Sequence, residues 1–84
     1  MRFIYITFST VTGAMEGKRQ LQRRGIDASL RRTPEVLRQR GCGYSLRLRQ
    51  TQVETAKQLL LHQGIPFERI FLELGKDQWQ EVAL

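Results

Sequence analysis

The segment Tyr44–Ile65, YSLRLRQTQVETAKQLLLHQGI, is the most informative part of the chain for its fold, because a strand is followed there by the strongest predicted helix. Its opening residues alternate apolar with polar or charged side chains, which is typical of a strand with one buried face. The sequence TQVE at residues 51–54 fits a capping box, so we predict a helix that continues to His62. Gly64 follows, and glycine very commonly terminates helices. The segment therefore predicts a strand, a helix and a defined stop.

The N-terminal half of the chain repeats this order at a constant offset. Residues 3–8 are rich in β-branched and aromatic side chains, which predicts a strand, and residues 13–24 predict a helix that ends at Gly25. The corresponding positions are Thr12 with Thr51, Lys18 with Lys57, Leu21 with Leu60, and Gly25-Ile26 with Gly64-Ile65. This symmetry indicates two halves of similar construction.

Two further strands complete the halves. Residues 26–31 alternate apolar with polar side chains and predict a half-buried strand, which the Thr-Pro pair at 33–34 ends. A short helical turn is expected at residues 35–40, started by the proline. Residues 67–74 predict the fourth strand, with apolar side chains on one face.

The order strand-helix-strand, repeated twice, favours one architecture. Right-handed crossovers select an α+β, ferredoxin-like βαββαβ domain, in which a four-stranded antiparallel sheet carries two helices on one face. We predict that residues 1–74 form this single domain and that residues 75–84 form a C-terminal tail.

The composition restricts the classes of function. The chain has 84 residues and a formal net charge of +6, with ten arginines between Arg2 and Arg49 and most of the acidic residues after Val53. A chain of this length buries one modest core, so a deep enclosed active site is not expected. The charge favours acidic partners, such as nucleic acid, an anionic protein patch or a small anion, or else serves solubility.

Several sites and compartments are excluded by the same sequence. One cysteine cannot form an internal disulfide, and the apolar run Met1–Phe8 is too short for a signal peptide or a membrane span, so we expect a cytoplasmic protein without membrane contact. A single cysteine and a single histidine, His62, cannot make a zinc site. We therefore expect no metal and no cofactor.

The candidate reactive residue is Cys42, which lies between Gly41 and Gly43 and follows Arg38 and Arg40. A thiol with bare backbone on both sides and cations nearby has the environment that lowers a thiol pKa and leaves the sulfur accessible. Most single cysteines are instead small buried hydrophobic residues without chemistry.

The predicted topology adds a second feature to this cysteine. The end of the first strand and the start of the third should be neighbours at one end of the sheet, which brings Cys42 close to Ser9, Thr10 and Thr12 at the start of the first helix. The positive end of the helix dipole and its backbone N–H groups would favour the thiolate there. His62 could approach this end, although its expected role is that of a solvated residue at a helix C-terminus.

The motif positions resemble those of one family of small domains, the selenium/sulfur carrier-like proteins. They are Phe8-Ser9-Thr10, Gly25-Ile26, Thr33-Pro34 with Leu37, Cys42-Gly43 with Leu46, and Gly64-Ile65. The resemblance extends from about Phe3 to Glu73 and implies that Cys42 carries sulfur or selenium as a persulfide or selenopersulfide. It further implies donor and acceptor enzymes as partners, and a carrier rather than a free-standing enzyme. Departures are the arginine excess, Gly17 inside the first helix and the additional tail.

Two functions of other classes stay open. Phe3, Tyr5, Arg47 and Arg49 should face outward on the central strands, and aromatic side chains beside arginines on an open sheet resemble a platform for RNA. The signature sequences of that RNA-binding module are absent. The same face could form a homodimer that buries Phe3, Tyr5 and Phe71. A small regulatory, ligand-binding dimer module shares this order of strands and helices.

Overall fold

A computed structural model describes residues 1–38 and 43–82 of the chain. The strands and helices are β1 (Phe3–Thr7), α1 (Val11–Arg23), β2 (Ser29–Arg32), β3 (Tyr44–Arg49), α2 (Val53–His62), β4 (Ile70–Gly75) and β5 (Gln78–Val82). Short 3-10 turns occupy Glu35–Leu37 and Gln50–Gln52.

The two helices end in the same way, and this explains the repeated Gly-Ile pair. Gly25 and Gly64 have φ angles of +81° and +70°, in the left-handed region that glycine adopts without steric cost. The following isoleucine amides donate hydrogen bonds back to Leu21 and Leu60, at 3.0 and 2.9 Å. These bonds complete Schellman motifs, in which the apolar residue after the glycine packs onto the helix. The prediction of both helix ends is confirmed.

The helix starts differ from the prediction. α1 begins two residues earlier than expected, at Val11, because the Thr10 hydroxyl accepts a hydrogen bond of 3.0 Å from the Gly13 amide. The predicted capping box at residues 51–54 is wrong, since α2 follows directly from a 3-10 turn and its N-cap, Gln52, makes no side-chain cap bond. The tight turn that joins β3 to α2 takes the place of the cap.

The described strands form one antiparallel sheet of five strands in the order β2-β3-β1-β4-β5. β1 lies at the centre, with Ile6 opposite Leu46 of β3 and opposite Ile70 of β4. The α+β class with two helices among the described residues is confirmed. The predicted four-stranded sheet is one strand short, so the ferredoxin-like order is not matched as it was predicted.

The additional strand is β5, in the segment predicted as a tail. It pairs antiparallel with β4 after a turn in which Asp77 has a φ angle of +59°. The two apolar side chains of β5, Trp79 and Val82, are turned to opposite faces of the sheet, so the segment lacks the alternation that predicts a strand. Only the pairing with β4 makes it one.

Other strand boundaries shift by a few residues. β2 begins at Ser29 rather than at Ile26, because Ile26 completes the end of α1. β4 begins at Ile70 rather than at residue 67, and the expected turn at 35–40 is seen over Glu35–Leu37, with residues 39–40 outside the described part.

The core lies between the two helices and one face of the sheet. Its members with almost no exposed surface include Ile4, Ile6, Phe8, Ala14, Leu21, Leu46, Leu48, Ala56, Leu60 and Ile70. Gly17 allows α1 to approach closely, because a Cβ at this position would lie 3.2 Å from Phe8 and 3.3 Å from Leu46 and Leu60. Gly17, noted above as a departure inside the first helix, is therefore a packing requirement.

Candidate functional site

The residues on either side of positions 39–42 are held together at one end of the sheet. The Thr33 amide donates a 2.8 Å hydrogen bond to the Gly43 carbonyl, just before β3 begins. The Thr33 hydroxyl and the Ser45 hydroxyl share a second hydrogen bond, and both residues are buried. The end of β2 and the start of β3 are thus fixed before and after the candidate cysteine.

The Thr-Pro-x-x-Leu motif forms a turn with one buried anchor. Pro34 precedes the 3-10 turn Glu35–Leu37, and its carbonyl accepts a 2.9 Å hydrogen bond from the Leu37 amide. Leu37 is buried, whereas Val36 is exposed. The Arg38 amide then donates to the Glu35 carbonyl at 3.1 Å. The motif therefore directs the chain toward residues 39–42 from an anchored position.

Arg38 lies directly against Gly43. A Cβ on Gly43 would be 3.2 Å from Arg38 Nη1 and 3.5 Å from its Cδ, and the φ angle of Gly43 is +81°. Any other residue at position 43 would strain the backbone and displace the arginine. A guanidinium is therefore placed beside the residue that immediately follows Cys42 in the sequence.

The register brings the start of α1 to the same end of the sheet. Thr7 of β1 is opposite Ser45 of β3, so the segment with Ser9 and Thr10 begins beside the start of β3, as the strand order predicted. Thr10 caps α1, and Thr12 lies in its first turn. This end carries the partial positive charge of the helix dipole. Cys42, Gly41 and Arg40 lie outside the described residues.

The single carboxylate of α1, Glu16, already has partners on its own helix. Glu16 accepts hydrogen bonds from Arg19 and, at 3.2 Å, from Gln20. The hydrogen bond from Arg19 lowers the pKa of Glu16 and raises the pKa of Arg19, and both groups are exposed. Arg19 and Glu16 thus form an exposed ion pair on the surface of α1.

The helix-free face of the sheet, called the open face below, carries the other predicted residues. The Arg47 guanidinium carbon lies 3.6 Å from the centroid of the Phe3 ring, in cation–π geometry. Tyr5 points to the same face but is only 9% exposed. Trp79 of β5 covers it, with ring centroids 5.0 Å apart and an angle of 85° between the planes. Sequence reasoning missed Trp79 because its strand was not recognised.

The remaining candidate features do not assemble a site. His62 is exposed at the end of α2 and lines a shallow depression of about 590 Å³ with Arg24 and Thr55. Residues 1–38 and 43–82 contain no group of three histidine, aspartate or glutamate side chains placed to hold a metal ion. Within the same ranges, no helix has the length and hydrophobicity that crossing a membrane would need.

Comparison with known families gives one match. Residues 3–72 match the model of a family described as "Putative Se/S carrier protein-like". The chain belongs to this family. The match covers β1 through the first part of β4 and includes the Thr-Pro-x-x-Leu turn, while β5 lies beyond it. No curated protein and no solved structure gave a significant match.

Proposed function

We propose that the protein is a carrier that binds sulfur or selenium covalently on Cys42. Family membership over residues 3–72 is the observation that carries this proposal. The chain contains one cysteine, so sulfur or selenium bound to a cysteine thiol of this chain must be bound to Cys42.

The transfer needs one nucleophile and no change in overall oxidation state. The Cys42 thiolate attacks the outer sulfur of a persulfide on a donor enzyme, which forms an S–S bond to Cys42 and breaks the S–S bond of the donor. The donor thiolate leaves with the electron pair of the broken bond, and the persulfide proton stays on the transferred sulfur or exchanges with water. An acceptor enzyme reverses these roles in the next step.

The described residues that precede and follow Cys42 in the sequence favour a low thiol pKa. Arg38 lies against the adjacent Gly43, and the start of α1 is at the same end of the sheet. A cation and the positive end of a helix dipole both favour a thiolate over a thiol. Two buried contacts fix the chain near this end of the sheet: the turn anchored by Leu37, and the hydrogen bond between Thr33 and Ser45.

The order of the strands supports a more specific description of the fold. The first four strands follow the order β2-β3-β1-β4 and alternate with two helices as βαββαβ, so we infer a ferredoxin-like unit to which β5 is added.

The chemistry requires a reduced thiol between transfers, which fits a reducing cytoplasm. The proposed partners are the donor and acceptor enzymes, and the protein acts as a carrier rather than as a free-standing enzyme.

Sulfur loading is the direct test. The protein is incubated with a cysteine desulfurase and cysteine, and in a second reaction with a selenocysteine lyase and selenocysteine, before its intact mass is measured. We expect the wild-type chain to gain the mass of one sulfur or selenium atom, which reductant removes, and Cys42→Ala to gain nothing. Wild-type protein that stays unmodified in both reactions would refute the carrier function.

Reactivity tests the proposed environment separately. We expect Cys42 to be alkylated by iodoacetamide faster than glutathione at neutral pH, and Arg38→Gln to slow the reaction because it removes the adjacent cation. Arg23→Gln is the matched control, since Arg23 lies at the other end of α1 and should leave the rate unchanged. Equal rates for the wild type and Arg38→Gln would exclude Arg38 from thiol activation while leaving the loading test intact.

A further inference from the structure

The open face has a separation of charge that the carrier chemistry does not use. In one row across the sheet, the register aligns Ser29, Arg47, Tyr5, Phe71 and Glu81 on successive strands from β2 to β5. In the next row, Arg49 is opposite Phe3, and Glu73 is opposite Trp79. Continuing the register of β1 and β4 by one residue places Glu73 beside Phe3. The first row is therefore basic on one side, aromatic at the centre and acidic on the other, and the second row runs from Arg49 through Phe3 and Glu73 to Trp79.

The basic side has cations without acidic partners. Arg31, Arg47 and Arg49 form no ion pair with a carboxylate among residues 1–38 and 43–82. Arg31 bonds the Ser29 hydroxyl at 3.3 Å, and Arg47 stacks on Phe3. Arg49 is exposed. These guanidinium groups are available to a partner.

The acidic side has a carboxylate that is not paired with a cation among the described residues. Glu73 forms no ion pair with any described residue, whereas Glu81 pairs with Arg69 at 3.2 Å. Arg49 on β3 and Glu73 on β4 lie in the same row, and their strands are the two neighbours of β1. They are thus placed at equal distances on either side of the central strand and have opposite charges.

We propose that the open face is the interface of a homodimer whose twofold axis runs parallel to β1. A rotation about this axis turns the second sheet over and exchanges its two sides, so the basic side of each copy covers the acidic side of the other. Rows stay aligned with themselves, which places Arg49 opposite Glu73 of the second copy, twice in each dimer. An axis perpendicular to the strands would place arginines over arginines, and like charges oppose such an arrangement.

The geometry agrees with the packing of sheets. Stacked sheets lie about 10 Å apart with their strands aligned to within roughly 30°, so long side chains in matching rows can meet. Phe3 and Trp79 are half-buried in the single chain, and a second copy would cover part of their remaining exposed surface. Tyr5 and Phe71 are already covered and add little new apolar burial, so the charge pairs would chiefly set how the two copies are aligned.

The same observations disfavour RNA as the occupant of this face. Stacking of bases requires accessible rings, and Tyr5 and Phe71 are only 9% and 8% exposed. Glu73 and Glu81 on the acidic side would repel a phosphate backbone. A second copy of the chain matches both signs of charge, whereas nucleic acid matches one.

Charge reversal at the paired positions tests the dimer. All chains carry Cys42→Ala, which excludes disulfide-linked dimers and separates this test from the carrier proposal. Sedimentation velocity is measured at about 0.15 M salt, where charges further apart than about 8 Å are largely screened. We expect Arg49→Glu and Glu73→Arg each to weaken dimerisation by about tenfold or more, because each places like charges opposite each other twice.

Mixing the two variants gives the decisive result. In a heterodimer of Arg49→Glu with Glu73→Arg, both contacts again join opposite charges, so the mixture should dimerise more strongly than either variant alone. Arg23→Glu, outside the open face, is the control and should leave the dimer intact. Circular dichroism confirms that each variant is folded.

Other outcomes overturn the proposal. A monomeric wild-type chain, dimerisation that resists both reversals, or a mixture that stays monomeric would each exclude this interface. Binding of a fluorescent single-stranded oligouridylate by a monomeric wild-type chain, lost in Arg47→Glu, would assign the open face to nucleic acid instead.

Discussion

The two faces of the sheet are built from the same strands but differ in what covers them. On the face under the helices, the alternating residues of β1 and β3, such as Ile6 and Leu46, are fully buried and apolar. On the open face, Tyr5 is covered by another strand residue, Trp79, and arginines and glutamates lie around it. Burial on one face therefore comes from the two helices that cover it, and on the other face from an aromatic side chain at the edge of the sheet. We therefore expect the helix-covered face to dominate stability.

The largest effect is expected at the centre of the helix-covered face. Leu46→Ala removes a fully buried side chain at the point where Gly17 brings α1 close to the sheet. We expect a loss of about 2–5 kcal/mol in the free energy of unfolding, measured by urea denaturation. Leu74→Ala, at an exposed leucine of β4, is the control and should cost much less. Equal losses would contradict the ranking of the two environments.

A smaller effect is expected on the open face. Trp79→Ala removes the ring that packs edge-on against Tyr5, and we expect it to lower the free energy of unfolding by about 1–3 kcal/mol. Gln80→Ala, at the next and more exposed residue, should change it little. Because Trp79 is the only tryptophan, the transitions are followed by circular dichroism. A loss larger than that of Leu46→Ala would reverse the comparison.

The smallest effect concerns the buried pair of hydroxyl groups, Thr33 and Ser45, that joins the end of β2 to the start of β3. Thr33→Val removes one hydroxyl and leaves that of Ser45 without this partner, so we expect a loss of about 1 kcal/mol. In a domain of this size, that corresponds to a fall in Tm of about 4–8 °C. Thr33→Ser keeps the hydroxyl and should retain most of the stability. If valine and serine had equal effects at position 33, the hydrogen bond would contribute nothing.

Local patterns predicted much of the fold. The β-branched and aromatic composition of β1 and the alternation in β3 identified these two strands, and Gly25 and Gly64 identified the ends of both helices. These features depend on neighbours in the sequence, since a left-handed glycine and a following isoleucine suffice for a helix stop. The neighbouring ends of β1 and β3 then followed from the order of the elements.

Features that depend on distant contacts were not predictable in this way. β5 has apolar side chains on opposite faces, and the covering of Tyr5 requires that strand to be in place. The role of Gly17 becomes visible only when Leu46 and Leu60 lie against it. At the candidate site, the Thr-Pro-x-x-Leu motif is visible in the sequence. The hydrogen bond between Thr33 and Ser45 and the position of Arg38 beside Gly43 are not, because both depend on how the chain folds back on itself.

The position of β5 also decides how an extended peptide could attach to this sheet. β5 occupies the outer hydrogen-bonding edge of β4, so strand addition at β4 is blocked by the chain itself. Among the described strands, the edges left are β5 and the four-residue β2, whose last two residues are exposed arginines. Short, charged edges resist pairing between molecules. A chain cut before Gln78 would open the edge of β4 and uncover Tyr5, and we expect it to aggregate.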